Sequence, residues 1–148
     1  MTVPVTYALS MPRLVEHVRA LAAIHILARQ GDSPLRELMC EARCQLLERM
    51  LRDAFVECVM QSPVPAVDVD IEALTLTLLT PESTARGQAL AVERLLSQMV
   101  AARALELWVS MSGLTDQDFS MADMVSASRN RLRSLLSPPA PLVRPAKL

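Results

Sequence analysis

The region from Gln88 to Ser112 constrains the fold more than any other part of the chain. Its apolar side chains recur at helical spacing on nearly every side, and its alanines keep the helix thin. The larger ones are Leu90, Leu95, Leu96, Met99, Val100, Leu107, Trp108 and Met111. A helix that is apolar all round is covered on several sides, in a core or between subunits. We therefore expect a long central helix that ends at Gly113.

Start and stop signals predict three further helices. Ser10 and Pro12 suit the first turn of one helix, and Gly31 suits its end. Ser33-Pro34 opens the next in the same way, and Thr80-Pro81 restarts helix before the central one. The last begins at Thr115 or at Ser120, each with an aspartate three residues on. The predicted helices are 11–30, 33–61, 81–112 and 115–136 or 120–136.

The segment from Val67 to Thr80 has a different pattern, in which apolar and polar residues alternate. Val67, Val69 and Ile71 alternate with acidic residues, and three leucines then alternate with threonines. Period two with β-branched residues predicts extended chain. The apolar phase slips at Ala73-Leu74, so we expect a bulge, a bend or a two-strand element there. A lone strand or hairpin is not stable in water. Its edges need partners, within the chain or from a neighbouring subunit.

Together these patterns predict a mainly α protein, a bundle of about four long helices with a short extended element between helices 2 and 3. Residues 1–136 form one helical domain, and residues 137–148 a Pro-rich tail that is expected to be extended and held by a neighbour. The composition, with 51% hydrophobic residues and a net charge of −1, fits one compact domain. Three glycines and 3% aromatics argue against a sandwich, a barrel or a Gly-rich phosphate-binding fold.

No segment of the sequence predicts catalysis, a cofactor or a metal. Cys40 and Cys44 lie one helical turn apart, but His17 and His25 are too far apart to complete a zinc site with them. Nucleophile-elbow, zinc-protease and phosphate-loop spacings are absent, so we predict that the protein is not an enzyme. The sequence shows no secretory signal and no apolar run long enough to cross a membrane. We expect a cytoplasmic protein, or a virion protein if it is phage-encoded.

Residues 120–136 resemble the helix-turn-helix of bacterial DNA-binding regulators. The matching positions are Ala122, Val125, Ser128-Arg129, Leu132 and Leu135, while Ser126 stands where that family usually has a turn glycine. The resemblance implies that Arg129, Asn130, Arg131 and Arg133 contact the major groove and phosphates. One continuous amphipathic helix explains the same residues. A DNA-binding regulator is therefore the alternative function.

The layout of the whole chain resembles the small helical head-to-tail adaptor and connector proteins of tailed bacteriophages. That resemblance implies a non-enzymatic assembly protein whose partners are copies of itself and neighbouring assembly proteins. An acidic group (Asp68, Asp70, Glu72, Glu82) and a basic end (Arg129, Arg131, Arg133, Arg144, Lys147) suit head-to-tail pairing, although pairing within one chain explains them as well. The predicted interface residues are Val67, Val69, Ile71, Leu74, Leu76, Met99, Leu107, Trp108, Pro138, Pro141, Leu142 and Arg144.

Overall fold

The structure, a computed structural model, describes residues 1–28, 44–111 and 121–137. The elements in chain order are β1 (Thr2–Ala8), α1 (Met11–Ala28), α2 (Cys44–Met60), β2 (Ala66–Asp70), β3 (Thr75–Pro81), α3 (Glu82–Gly87), α4 (Ala89–Met111) and α5 (Ala122–Leu136). The prediction of a mainly helical chain is confirmed. The described residues form five helices and a three-stranded antiparallel sheet, so the simpler four-helix bundle is not what is observed.

The sheet has the order β1-β3-β2, and both pairings are antiparallel. The predicted two-strand element between residues 67 and 80 is present as the β2–β3 hairpin. The phase slip coincides with its turn, where Leu74 has a positive φ of 55° and is buried. An irregularity between Ala66 and Asp68 adds a bulge to β2. Burial of the Leu74 side chain holds a backbone conformation that non-glycine residues rarely adopt.

Strand β1 was not among the sequence predictions. Val3, Val5 and Tyr7 alternate with small or polar residues in this segment, which is the pattern of a half-buried strand. The register runs from Thr2 opposite Pro81 to Ala8 opposite Thr75. Because β1 pairs along the full length of β3, the hairpin does not need a neighbouring subunit to satisfy its central strand.

One face of the sheet packs on the helices, and no described part of the chain covers the other face, which we call the open face. Leu76 and Leu78 of β3 and Tyr7 of β1 lie on the packed face and are buried. On the open face, the hydroxyl groups of Thr6 and Thr77 form an exposed hydrogen bond of 2.8 Å. The sheet therefore has the alternation of a single layer that is covered by helices on one side.

Helix α4 lies at the centre of the core, as its all-round apolar pattern predicts. It packs against α1, α2 and α5. Met99, Ala104 and Leu105 have no exposed surface. On the side of α2, the Arg103 guanidinium donates to Glu57 of α2 over 2.6 Å and to Glu106 over 2.8 Å. Other elements of the same chain therefore cover the long helix on several of its faces.

The start of one helix differs from the prediction. Residues 82–87 form the separate short helix α3, whose N-cap position is Pro81, a residue without a side-chain capping group. Thr80, the predicted cap, lies at the end of β3, and its hydroxyl donates to the carbonyl oxygen of Leu78. Helix α5 begins after Met121, again without a side-chain cap. The Thr84 hydroxyl donates to the carbonyl oxygen of Leu135 over 2.8 Å and holds the end of α5 against α3. The start predicted at Ser33-Pro34 and both predicted caps of the last helix lie outside the described residues.

Candidate functional site

Strand β2 lies at the edge of the sheet, and its main chain has unused bonding groups. In an antiparallel strand, alternate residues turn their N–H and C=O groups to opposite sides. Leu9 donates its N–H to Leu74 over 2.9 Å, and Glu82 donates to Met1 over 3.1 Å, so the even-numbered residues of β3 bond to β1. The odd-numbered residues of β3 therefore face β2.

This alternation identifies which main-chain groups of β2 are available. Asp68 and Asp70 pair with Thr77 and Thr75, so their N–H and C=O groups point to β3. Val69, between them, turns its N–H and C=O to the outer edge. No other strand of the described residues pairs with that edge. We call the outer side of residues 66–70 the β2 edge.

The other edge of the sheet, formed by β1, is interrupted by a proline. The odd-numbered residues of β1 bond to β3, so Pro4 occupies a position whose N–H would point outwards. Proline has no N–H, and proline at such a position is a common way to block strand addition. Strand β2 contains no proline. The sheet therefore has one blocked edge and one edge that can accept a strand.

Apolar and acidic side chains alternate along the β2 edge. Val67, Val69 and Ile71 are 60%, 36% and 43% exposed, which is high for three β-branched apolar residues close together. Asp68 and Asp70 lie on the open face of the sheet. Asp68 makes no ion pair or side-chain hydrogen bond within the described residues, whereas Asp70 accepts the N–H of Ala73 in the hairpin turn over 3.1 Å. The edge thus combines apolar surface with negative charge.

The structure separates the predicted interface residues into three groups. Val67 and Val69 are exposed at the β2 edge, and Ile71 is exposed in the turn that follows it. Leu107 is half-buried against the core, and Leu74, Leu76, Met99 and Trp108 are buried in the chain's own core, at most 5% exposed. This corrects their assignment to a contact surface, because the intramolecular packing already covers them. Pro138, Pro141, Leu142 and Arg144 lie outside the described residues.

The residues of the DNA-binding alternative lie on one continuous helix. Residues 122–136 form α5 without interruption, so the turn that the resemblance requires near Ser126 is absent. Asn130, Arg131 and Arg133 are exposed, while Arg129 is half-buried and its Nε atom has no hydrogen-bond partner among the described residues. Ser128, Leu132 and Leu136 are buried against the rest of the chain. The helix therefore serves as a packing element with a basic outer face.

The acidic and basic groups of the sequence are partly paired within the chain. Glu82 accepts from Arg86 one turn later over 3.3 Å, and Glu72 lies 3.9 Å from Arg52. These pairs are largely exposed, and exposed pairs contribute little to stability. Asp68 and Asp70 have no such cation partner in the described part of the chain, which leaves the β2 edge negatively charged.

Cys58 is the one cysteine whose side chain the structure describes. Cys58 is buried, and burial together with the neighbouring Glu57 carboxylate raises the pKa of its thiol to about 12, so it stays protonated and unreactive at neutral pH. No group of three or more histidine, cysteine or acidic residues among them is placed to hold a metal ion. Cys40 and the side chains of His25 and Cys44 lie outside what the structure describes.

A cleft of about 370 Å³ between α1 and α4 contains the one histidine side chain that the structure describes. It is lined by Ser10, Arg13, His17, Leu90, Glu93, Arg94, Ser97 and Gln98. Loss of solvent around His17 lowers the pKa of its imidazole below the ordinary 6.5. The neutral imidazole is therefore the form that the folded protein favours.

This pKa predicts a loss of stability at mildly acidic pH. As the pH falls below 6.5, the unfolded chain takes up a proton at His17 before the folded chain does, so the free energy of unfolding decreases until the folded form is protonated too. Urea unfolding at pH 7.5 and 5.5 measures this decrease. It should be smaller in His17→Gln than in the wild type. An equal decrease in both proteins would show that His17 does not contribute.

Comparison of the chain with protein-family models, curated proteins and solved structures finds no match. In the described part of the chain, no helix combines the length and apolar character needed to cross a membrane. The interpretation of function therefore depends on the surface chemistry of the chain itself, and above all on the β2 edge.

Proposed function

We propose that this chain is a non-enzymatic assembly protein that associates with other copies of itself through the β2 edge. The observation that carries the proposal is the position of Val69, whose N–H and C=O point away from β3. Main-chain bonds from an added strand would satisfy these groups, and strand addition is a common mode of protein association.

The side chains around the edge support the same function. Val67, Val69 and Ile71 expose apolar surface on the strand and at the start of the turn, and an added strand would cover part of it. The contrast with β1 is a second support. Pro4 blocks one edge of the sheet, whereas no proline blocks the other. Blocking one edge while leaving an apolar edge accessible is consistent with association at a single defined place.

The more specific form of the proposal is a head-to-tail connector of a tailed-phage virion. It is supported by the small, mainly helical chain with a short sheet, a near-neutral charge and a Pro-rich end. In such an arrangement each copy uses two different surfaces, and a ring closes when the rotation between copies returns to its start.

Replacing Val69 by proline is expected to abolish association without unfolding the chain. The substitution removes the N–H that points to the outer edge, while Asp68 and Asp70 keep the groups that bond to β3. Multi-angle light scattering on the full chain measures the mass. We expect the wild type to exceed the monomer mass and Val69→Pro to fall to it, with an unchanged circular dichroism spectrum.

Ala8→Pro is the matched control, because Ala8 occupies the corresponding outward position at the blocked β1 edge. This variant should associate like the wild type. A wild-type protein that stays monomeric at about 100 times the protein concentration of the light-scattering measurement would contradict self-association. Equal masses for the wild type and Val69→Pro would place the interface elsewhere on the molecule.

A further inference from the structure

The charge on the β2 edge excludes one simple occupant, the β2 edge of a second copy. When two antiparallel strands continue one sheet, directly opposite residues share a face. Asp68 and Asp70 both lie on the open face. If β2 of one copy pairs with β2 of another over most of its length, Asp68 of one copy lies opposite Asp70 of the other, or each aspartate lies opposite the same aspartate of the other copy. Like charges in these positions are destabilising.

The edge instead requires an occupant with complementary properties. It must offer main-chain donors and acceptors to Val69, and apolar side chains on the packed face beside Val69, which is 36% exposed. On the open face it must bring positive charge to Asp68, which has no ion pair in the described part of the chain. The occupant is thus an extended segment that is apolar on one face and basic on the other.

Residues 138–148 have this composition, with Arg144, Lys147 and no acidic side chain. Pro141 and Pro145 are an even number of residues apart, so in an extended segment both lack their N–H on the same side. The N–H groups of Leu142, Arg144 and Ala146 then all point to the other side. On the proline side only Val143 keeps an N–H, so most donors of such a segment lie along one side, as is typical of an edge strand.

We propose that the β2 edge binds the segment 141–146 of a second copy as a parallel fourth strand. This inference rests on the proposed function and names the partner segment. In a parallel pair, the residues that bond to Val69 are those whose side chains lie on the face opposite to its own. Leu142 and Arg144 would bond to Val69, which places Arg144 on the open face beside Asp70 and diagonally across from Asp68. Val143 would lie beside Val69 on the packed face.

A charge exchange between full-length chains tests this proposal. Asp68→Lys sets a positive edge against the positive segment, and Arg144→Glu sets a negative segment against the negative edge. Each variant alone is expected to associate about tenfold more weakly than the wild type, measured as apparent Kd by light scattering at low salt. An equimolar mixture should regain association, because the segment of each variant then complements the edge of the other. Glu16→Lys, an exposed change on α1, is the control.

Each outcome separates the inference from the function on which it rests. Restored association in the mixture supports binding between copies. Restoration only in the double variant Asp68→Lys/Arg144→Glu, and not in the mixture, would show that the segment binds within its own chain and would overturn the proposal. A wild type that associates and is unaffected by both substitutions would also overturn it, while leaving assembly intact. A monomeric wild type would overturn both.

Discussion

Phe55→Ala is expected to reduce the free energy of unfolding by about 3–5 kcal/mol. Phe55 is 1% exposed and is the largest fully buried side chain of the described residues. Its truncation on α2 leaves a cavity in the shared core of α2 and α4, which are packed along each other. Because domains of this size are stable by about 5–15 kcal/mol in total, the variant should be close to unfolding at 37 °C. Urea or guanidinium unfolding at 25 °C measures the difference.

Met60→Ala is the control for this prediction. Met60 ends the same helix and is 81% exposed, so its truncation should change the free energy of unfolding by less than about 0.5 kcal/mol. A loss below about 1 kcal/mol for Phe55→Ala would show that α2 is not packed in the way described. The core around α4 would then be formed by other elements than α2.

The second large effect is expected at the buried hydroxyl chain of the sheet. The Tyr7 hydroxyl lies 2.8 Å from that of Thr80, which in turn donates to the carbonyl oxygen of Leu78 over 3.2 Å. Tyr7 therefore donates to Thr80. Burial raises the pKa of Tyr7, so its proton stays in place. Thr80→Val keeps the shape but leaves the Tyr7 hydroxyl without a partner, at a cost of about 1–3 kcal/mol in unfolding free energy.

A double-mutant cycle provides the control. Tyr7→Phe leaves Thr80 bonded to Leu78, so it should cost about 0.5–1.5 kcal/mol. The double variant Tyr7→Phe/Thr80→Val removes both hydroxyl groups and should cost less than the sum of the single variants. Additive costs in chemical unfolding would indicate that the two hydroxyl groups do not interact, and that β1 and β3 are joined by main-chain bonds alone.

The sequence predicted the parts of this fold that depend on local pattern. The all-round apolar region around Met99 became the enclosed helix α4, and the phase slip at Ala73-Leu74 became the hairpin turn. Val67, Val69 and Ile71, which the sequence singled out by their alternation with acidic residues, are exposed, and their role in an interface stays a prediction. In each case the spacing of side chains along the chain carries the information.

The parts that depend on pairing between distant segments could not be predicted in the same way. Strand β1 lies more than 65 residues from its partner β3, and Pro4 within it argues against a strand unless its outward position is known. The sequence also could not show that Leu76 and Trp108 are buried within the chain, because an apolar side chain at such a position fits a core and an interface equally well. The outward direction of the Val69 main chain needed the register of both pairings.

The proline in β1 has a consequence for how far such a sheet can grow. Fibrils form when both edges of a sheet can accept a strand, because each added molecule then offers a free edge to the next one. Here Pro4 removes one of the outward donors of β1, which disfavours continuation of a ladder at that edge. A strand added at the β2 edge would therefore not meet an equally competent edge on the other side of the sheet.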